Sequence, residues 1–174
     1  MKSTQAPTAA AGAVAAGDAA VAEGPAPEID PVRFARNGEQ LAGVTRALRM
    51  PRLLESGVLD ADMLVHWHVR GETARDELDR VRQFLVLSLR FAPVLTCGRC
   101  LGPLPLDELS VTRRFRLAAT ERQADLEDPE AGTDIDVIAT TPRLALEGLI
   151  EDEAMLALPM AAFHEVCPNP STLN

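Results

Sequence analysis

The sequence predicts an α+β fold: a small antiparallel sheet with a C-terminal helix packed on it, behind a disordered N-terminal arm. Three observations predict it. Residues from Leu59 onward alternate apolar and polar over three successive runs, the signature of half-buried strands. A stretch opening at Thr141-Pro142 then spaces its apolar residues for a helix. The first 28 residues, rich in Ala, Gly and Pro, show no apolar periodicity and are expected to stay disordered, leaving residues 29–174 as a single domain.

Taken in order, the elements follow from local chemistry. Asp30-Pro31 starts a short helix, Pro31 to Asn37, because Asp can cap and Pro suits the first helical position; Gly38 ends it. A strand over Gln40 to Arg46 and a helical turn over Pro51 to Glu55 come next. In the run from Met63 to Val69, the residues Met63, Val65, Trp67 and Val69 share one face, and a turn is expected through Arg70 to Thr73. Val81 to Phe91 follows, with Leu85, Leu87, Leu89 and Phe91 inward and Arg82 and Arg90 outward. Leu109, Val111, Phe115 and Leu117 repeat the pattern, with Arg114 and Arg116 pointing away. Three strands joined by short turns pair antiparallel. Residues 120–135 read as a mobile acidic loop, Ile135 to Ile138 as a last short strand. The final helix then runs from Thr141-Pro142 on an apolar face of Leu146, Leu149, Ile150 and Leu156, with Pro159 beyond its end.

Composition narrows the function classes. Apolar residues make up 47% of the 174, but aromatics only 3%, with no Tyr, so the core is built of Leu, Val and Ala. No run of eighteen apolar residues exists, which excludes a helical membrane span. The Ala-rich start lacks the Leu-rich block of a secretory signal, and three cysteines suit a reducing compartment; a cytoplasmic protein is expected. Net charge is −9, distributed unevenly: residues 31–116 carry 14 positive and 10 negative charges, residues 117–174 carry 2 and 12. This polarity fits two different partner surfaces, or equally a solvated acidic face. Outward Arg82, Arg90, Arg114 and Arg116 are candidates for contact with RNA phosphates. Scarce aromatics leave base stacking little support.

The densest chemistry lies in the cysteines. Cys97-x-x-Cys100 sits in a Gly- and Pro-containing knuckle, and His164-x-x-Cys167 follows the last helix. Together they supply four nitrogen and sulfur ligands, the donor set of a structural zinc site, provided that the two segments meet. A reduced thiol pair stabilising a turn reads from the same residues. Redox use is disfavoured, because the motif does not open a helix that would depress a thiol pKa. His66 and His68 share the face opposite Trp67 without a third ligand and read as solvated. Glu151-Asp152-Glu153 fan around a helix rather than converge, which suits an interaction surface or a structural anchor better than acid–base chemistry. No phosphate loop, dinucleotide fingerprint or nucleophile elbow is present, so no enzymatic activity is expected.

Three segments resemble the YceD family of large ribosomal RNA subunit accumulation proteins: Ile29-Asp30-Pro31-Val32-Arg33, then Leu95-Thr96-Cys97-Gly98-Arg99-Cys100-Leu101, then Leu149 to Glu153 with Leu156-Ala157-Leu158-Pro159 and His164. The resemblance spans about residues 29–168, and its motif residues fall here on Cys97, Arg99, Cys100, Glu151, Asp152, Glu153 and Pro159. It implies a non-enzymatic role in synthesis, processing or stability of 23S ribosomal RNA, in the cytoplasm, with ribosomal RNA or a basic large-subunit ribosomal protein as partner. It does not imply zinc. The rival reading is a zinc- or thiol-dependent enzyme centred on Cys97 and Cys100, which needs an open metal position or a depressed thiolate.

Overall fold

The computed structural model describes residues 23–76, 79–127 and 135–168. In chain order these form β1 (Glu28–Ile29), α1 (Pro31–Asn37), β2 (Gln40–Arg46), a 3₁₀ turn (Ala47–Arg49), α2 (Pro51–Glu55), β3 (Leu64–Arg75), β4 (Val81–Phe91), β5 (Val94–Thr96), β6 (Pro103–Pro105), β7 (Leu109–Ala118), α3 (Glu121–Glu127), β8 (Ile135–Ala139), β9 (Leu144–Ala145) and α4 (Leu146–Ala157). The main sheet has the order β2-β3-β4-β7-β8. Its first four strands run antiparallel, and β8 joins the edge parallel to β7. β5 and β6 form a separate hairpin, and β1 pairs with β9.

One face of the sheet holds the core. Val65, Trp67 and Val69 of β3, Leu85, Leu87, Leu89 and Phe91 of β4, and Phe115 and Leu117 of β7 pack with Phe34 of α1, Leu53 of α2, and Leu146, Ile150 and Ala154 of α4. The mixed sheet with its packed C-terminal helix is the expected α+β architecture. Asp30 caps α1 by accepting from the Arg33 N–H at 3.0 Å, and Gly38 closes it in the left-handed region at φ 63°. Trp67 reaches over Gly43, where a Cβ would stand 2.1 Å from its ring, and donates its indole N–H to Thr45 at 3.1 Å.

Four expectations are corrected. No turn occupies Arg70 to Thr73; β3 continues to Arg75, which pairs with Val81 of β4. Gly71 is there for packing, since an added Cβ would lie 2.4 Å from the Phe34 carbonyl oxygen on α1. The supposed acidic loop begins as a helix, α3, whose residue Gln123 donates its N–H to the Thr120 hydroxyl; residues 128–134 lie outside the described residues. The last helix starts at Leu146 rather than Thr141, because Leu144 and Ala145 stay extended to pair with β1. Thr141 donates to the Arg143 carbonyl instead of capping. Leu156 is exposed, and α4 turns Glu151 and Glu153 inward in its place.

Of the expected N-terminal arm, residues 1–22 lie outside the described residues. Glu23 to Glu28 are described: Glu23 pairs with Arg46, Gly24 donates to the Val44 carbonyl, and Glu28 pairs with Arg143. No helix among the described residues is long and apolar enough to cross a membrane.

Candidate metal centre

The β5–β6 hairpin holds a knuckle at its tip. Thr96 pairs with Pro103, the Cys97 N–H donates to the Gly102 carbonyl at 2.9 Å, and the Leu101 N–H returns to the Cys97 carbonyl at 3.0 Å. Leu101, just past Cys100, takes the left-handed conformation, φ 58°, as the chain turns back toward β6. Both sulfurs thus face the same side. The segment after α4 runs against this knuckle. Gly98 donates to the Ala162 carbonyl at 2.9 Å, and a Cβ on Gly98 would stand 2.7 Å from the Phe163 ring.

This docking brings Cys97, Cys100, His164 and Cys167 together, with all four ligand atoms within 4.8 Å of one another. His164 presents Nδ1 to the Cys100 sulfur at 3.4 Å and its backbone N–H to the Cys97 sulfur at 3.5 Å. Cys97 is fully buried. Backbone N–H groups of Cys100 and then His164 hold its thiol down to about 5, against the opposing effect of burial. Burial, and then the neighbouring Cys100 and Cys97, push the Cys167 thiol up. Three sulfurs this close cannot all ionise without a cation between them. A tetrahedral zinc about 2.3 Å from each sulfur puts the sulfurs about 3.8 Å apart, so side-chain adjustments of under an ångström suit the group to such an ion.

The remaining motif residues have other work. Arg99 is exposed at the knuckle and stacks over the Phe163 ring at 5.2 Å from its centroid. Glu151 is buried on α4, where Oε1 accepts from the Arg52 N–H at 2.7 Å and the Leu53 N–H at 3.3 Å, and Oε2 accepts from the Arg52 guanidinium. It caps α2 from 99 positions away. Asp152 is half exposed and pairs with the same guanidinium at 2.6 Å. Glu153 is buried against Arg113 at 3.2 Å, and desolvation holds its carboxyl above the usual range despite that cation. Pro159 lies just past the end of α4. Of the three carboxylates, two serve as internal anchors.

The four outward arginines are not equivalent. Arg82 is bound by Asp76 and Glu127, and buried Arg116 donates to the Glu127 carbonyl and lies 3.3 Å from its carboxylate. Arg114 lies over the Phe84 ring at 3.8 Å and pairs with Glu72. Arg90 is exposed and makes no ion pair among the described residues. Sequence reasoning missed Arg52, Arg113 and Phe163, whose roles depend on long-range contacts that leave no local spacing.

The sequence profile of the family described as Large ribosomal RNA subunit accumulation protein YceD matches residues 85–173. The chain belongs to this family. The match runs from within β4 through the knuckle, α4 and all four candidate ligands. The YceD description ties the chain to accumulation of the large ribosomal RNA. No curated protein and no solved structure matches it.

Proposed function

We propose that this YceD protein is a non-enzymatic accessory factor in the synthesis, processing or stability of 23S ribosomal RNA. It would act in the cytoplasm by binding ribosomal RNA or a basic large-subunit ribosomal protein. The observation that carries the proposal is the family match over 85–173. The four-ligand cluster supports the non-enzymatic part. Cys97, Cys100, His164 and Cys167 would complete the shell of a structural zinc and leave it no open position for water or substrate. Zinc there would supply a fixed cross-link between the knuckle and the segment after α4.

Of the two partner surfaces, the acidic one loses ground. Glu151 and Glu153 are turned inward, and Glu127 is spent on Arg82 and Arg116. The rival enzyme reading retains one favourable observation, the lowered thiol of Cys97, but that sulfur is fully buried.

The test is the ratio of 23S to 16S ribosomal RNA in cells depleted of the protein. A selective fall in 23S RNA, restored by the intact chain, is expected; an unchanged ratio under complete depletion refutes the role. Turnover lost from a Cys97→Ser variant that remains folded would favour the enzyme instead.

A further inference from the structure

The face of the main sheet turned away from the core divides in two. At the β7–β8 end, α3 lies against the strands, Asp76, Arg82, Arg116, Gln123 and Glu127 are joined by ion pairs and hydrogen bonds, and Phe84 on the same face is buried. Toward β2, no helix among the described residues covers the face. There the register lines up Val44, His66, Arg90 and Ser110 in one row, and Ala42, His68, Ser88 and Thr112 in the next.

These two rows contain no carboxylate. They offer a guanidinium, two imidazoles and three hydroxyls on a floor of Ala42 and Val44. Arg90, His66, Ser110 and Thr112 are exposed, His68 Nε2 lies 3.3 Å from the Gln40 amide oxygen, and Ser88 and Thr112 share a hydroxyl contact at 3.0 Å. The third row adds Arg70 and Arg114, with Glu72 on the row beyond as the one acid that pairs with both. Side chains along one face of a strand step by about 6.6 Å, so the donors stand in a regular array. Among the described residues, the face holds no exposed aromatic on which an unpaired base could stack.

We infer that this open half of the sheet, centred on Arg90 with His66, His68, Ser110 and Thr112, binds the phosphate backbone of duplex RNA. Its charge complements phosphate although the whole chain carries −9, because the two rows hold no carboxylate, Glu72 is bound to Arg70 and Arg114, and Glu127 to Arg82 and Arg116. Arg90 supplies the principal charged contact, while hydroxyl and imidazole N–H groups donate to phosphate oxygens. The inference rests on the proposed accessory role and names the surface that serves it.

The test uses the full chain and a short fluorescein-labelled duplex RNA, titrated at several salt concentrations. Arg90→Glu should weaken binding roughly tenfold at low salt, and Arg90→Gln should reduce the dependence of log affinity on log salt by about 1. Arg36→Glu, an exposed change on α1, should cost about twofold or less, since it alters only the distant charge. Trp67 fluorescence checks that each variant is folded. Equal losses for Arg90→Glu and Arg36→Glu, no duplex binding at low salt, or displacement by polyglutamate as effective as by RNA would each overturn the surface. The 23S ratio in depleted cells judges the accessory role separately: a fall in 23S RNA with no duplex binding would leave that role standing without this face.

Discussion

Replacing Glu151 by Leu should destabilise the protein more than any exposed charge change on α4. Its Oε1 accepts from the N–H groups of Arg52 and Leu53, the two donors of the first turn that follow Pro51, which has none, and that the helix cannot satisfy internally. Leu53 is fully buried, so water cannot replace that acceptor. An orphaned buried donor costs about 1–3 kcal/mol, and the part-buried Arg52 donor toward the lower end of that range, so the two together cost about 2–5 kcal/mol. The Arg52 guanidinium is half exposed, and its ion pair is left out of this sum. For a chain of this size the loss corresponds to a fall in Tm of roughly 4–20 °C. Thermal unfolding followed by fluorescence of Trp67, the sole tryptophan, measures it. Glu151→Gln can keep its amide oxygen on both N–H groups and should lose much less. Asp152→Asn, half exposed, should change stability by no more than about 0.5 kcal/mol. A loss for Glu151→Leu no greater than for Asp152→Asn would refute the capping role.

The other expectations can be checked with the same purified protein. Metal analysis should find about one zinc per chain, and cobalt substitution should give the visible absorption of a tetrahedral thiolate site; both should vanish in Cys97→Ser with Cys100→Ser. Gly71→Ala should cost about 3 kcal/mol or prevent folding, because its Cβ meets the α1 backbone rather than a movable side chain; urea midpoints report it. Burial raises the Glu153 carboxyl, so the folded chain holds that proton more tightly than the unfolded one. This contribution favours folding as pH falls through the raised folded value, and becomes a cost above it. Glu153→Gln should therefore gain stability relative to the parent as pH rises from acid to neutral, measured by urea midpoints across that range. A constant gap would contradict it.

Elements governed by local chemistry were legible in the sequence: the Asp30-to-Gly38 helix, the strand Val81–Phe91, and the alternation placing Trp67 inside. Errors arose where one residue type serves two purposes. Gly71 reads as a turn because glycine usually marks one, yet it permits close packing on α1. Thr141-Pro142 reads as a helix start, but pairing of Leu144 and Ala145 with β1 keeps those two residues extended and delays the helix to Leu146. At the site, ligand types and spacing were visible, whereas the meeting of the two pairs depends on the path through β7 and α4. The outward arginines were placed on the correct face, but Glu127 lay in a stretch read as loop, so its capture of Arg82 and Arg116 left no trace in strand periodicity.

The ligand cluster joins positions 97 and 164, 67 residues apart, and the loop it closes contains α4 with Glu151. An ion held there acts as a reversible covalent-like staple, and closing a loop of that length removes about 4 kcal/mol of chain entropy from the unfolded state. Because Glu151 caps α2, slackening that loop reaches the first half of the chain as well. The folded fraction of this YceD protein would then rise and fall with the cell's free metal.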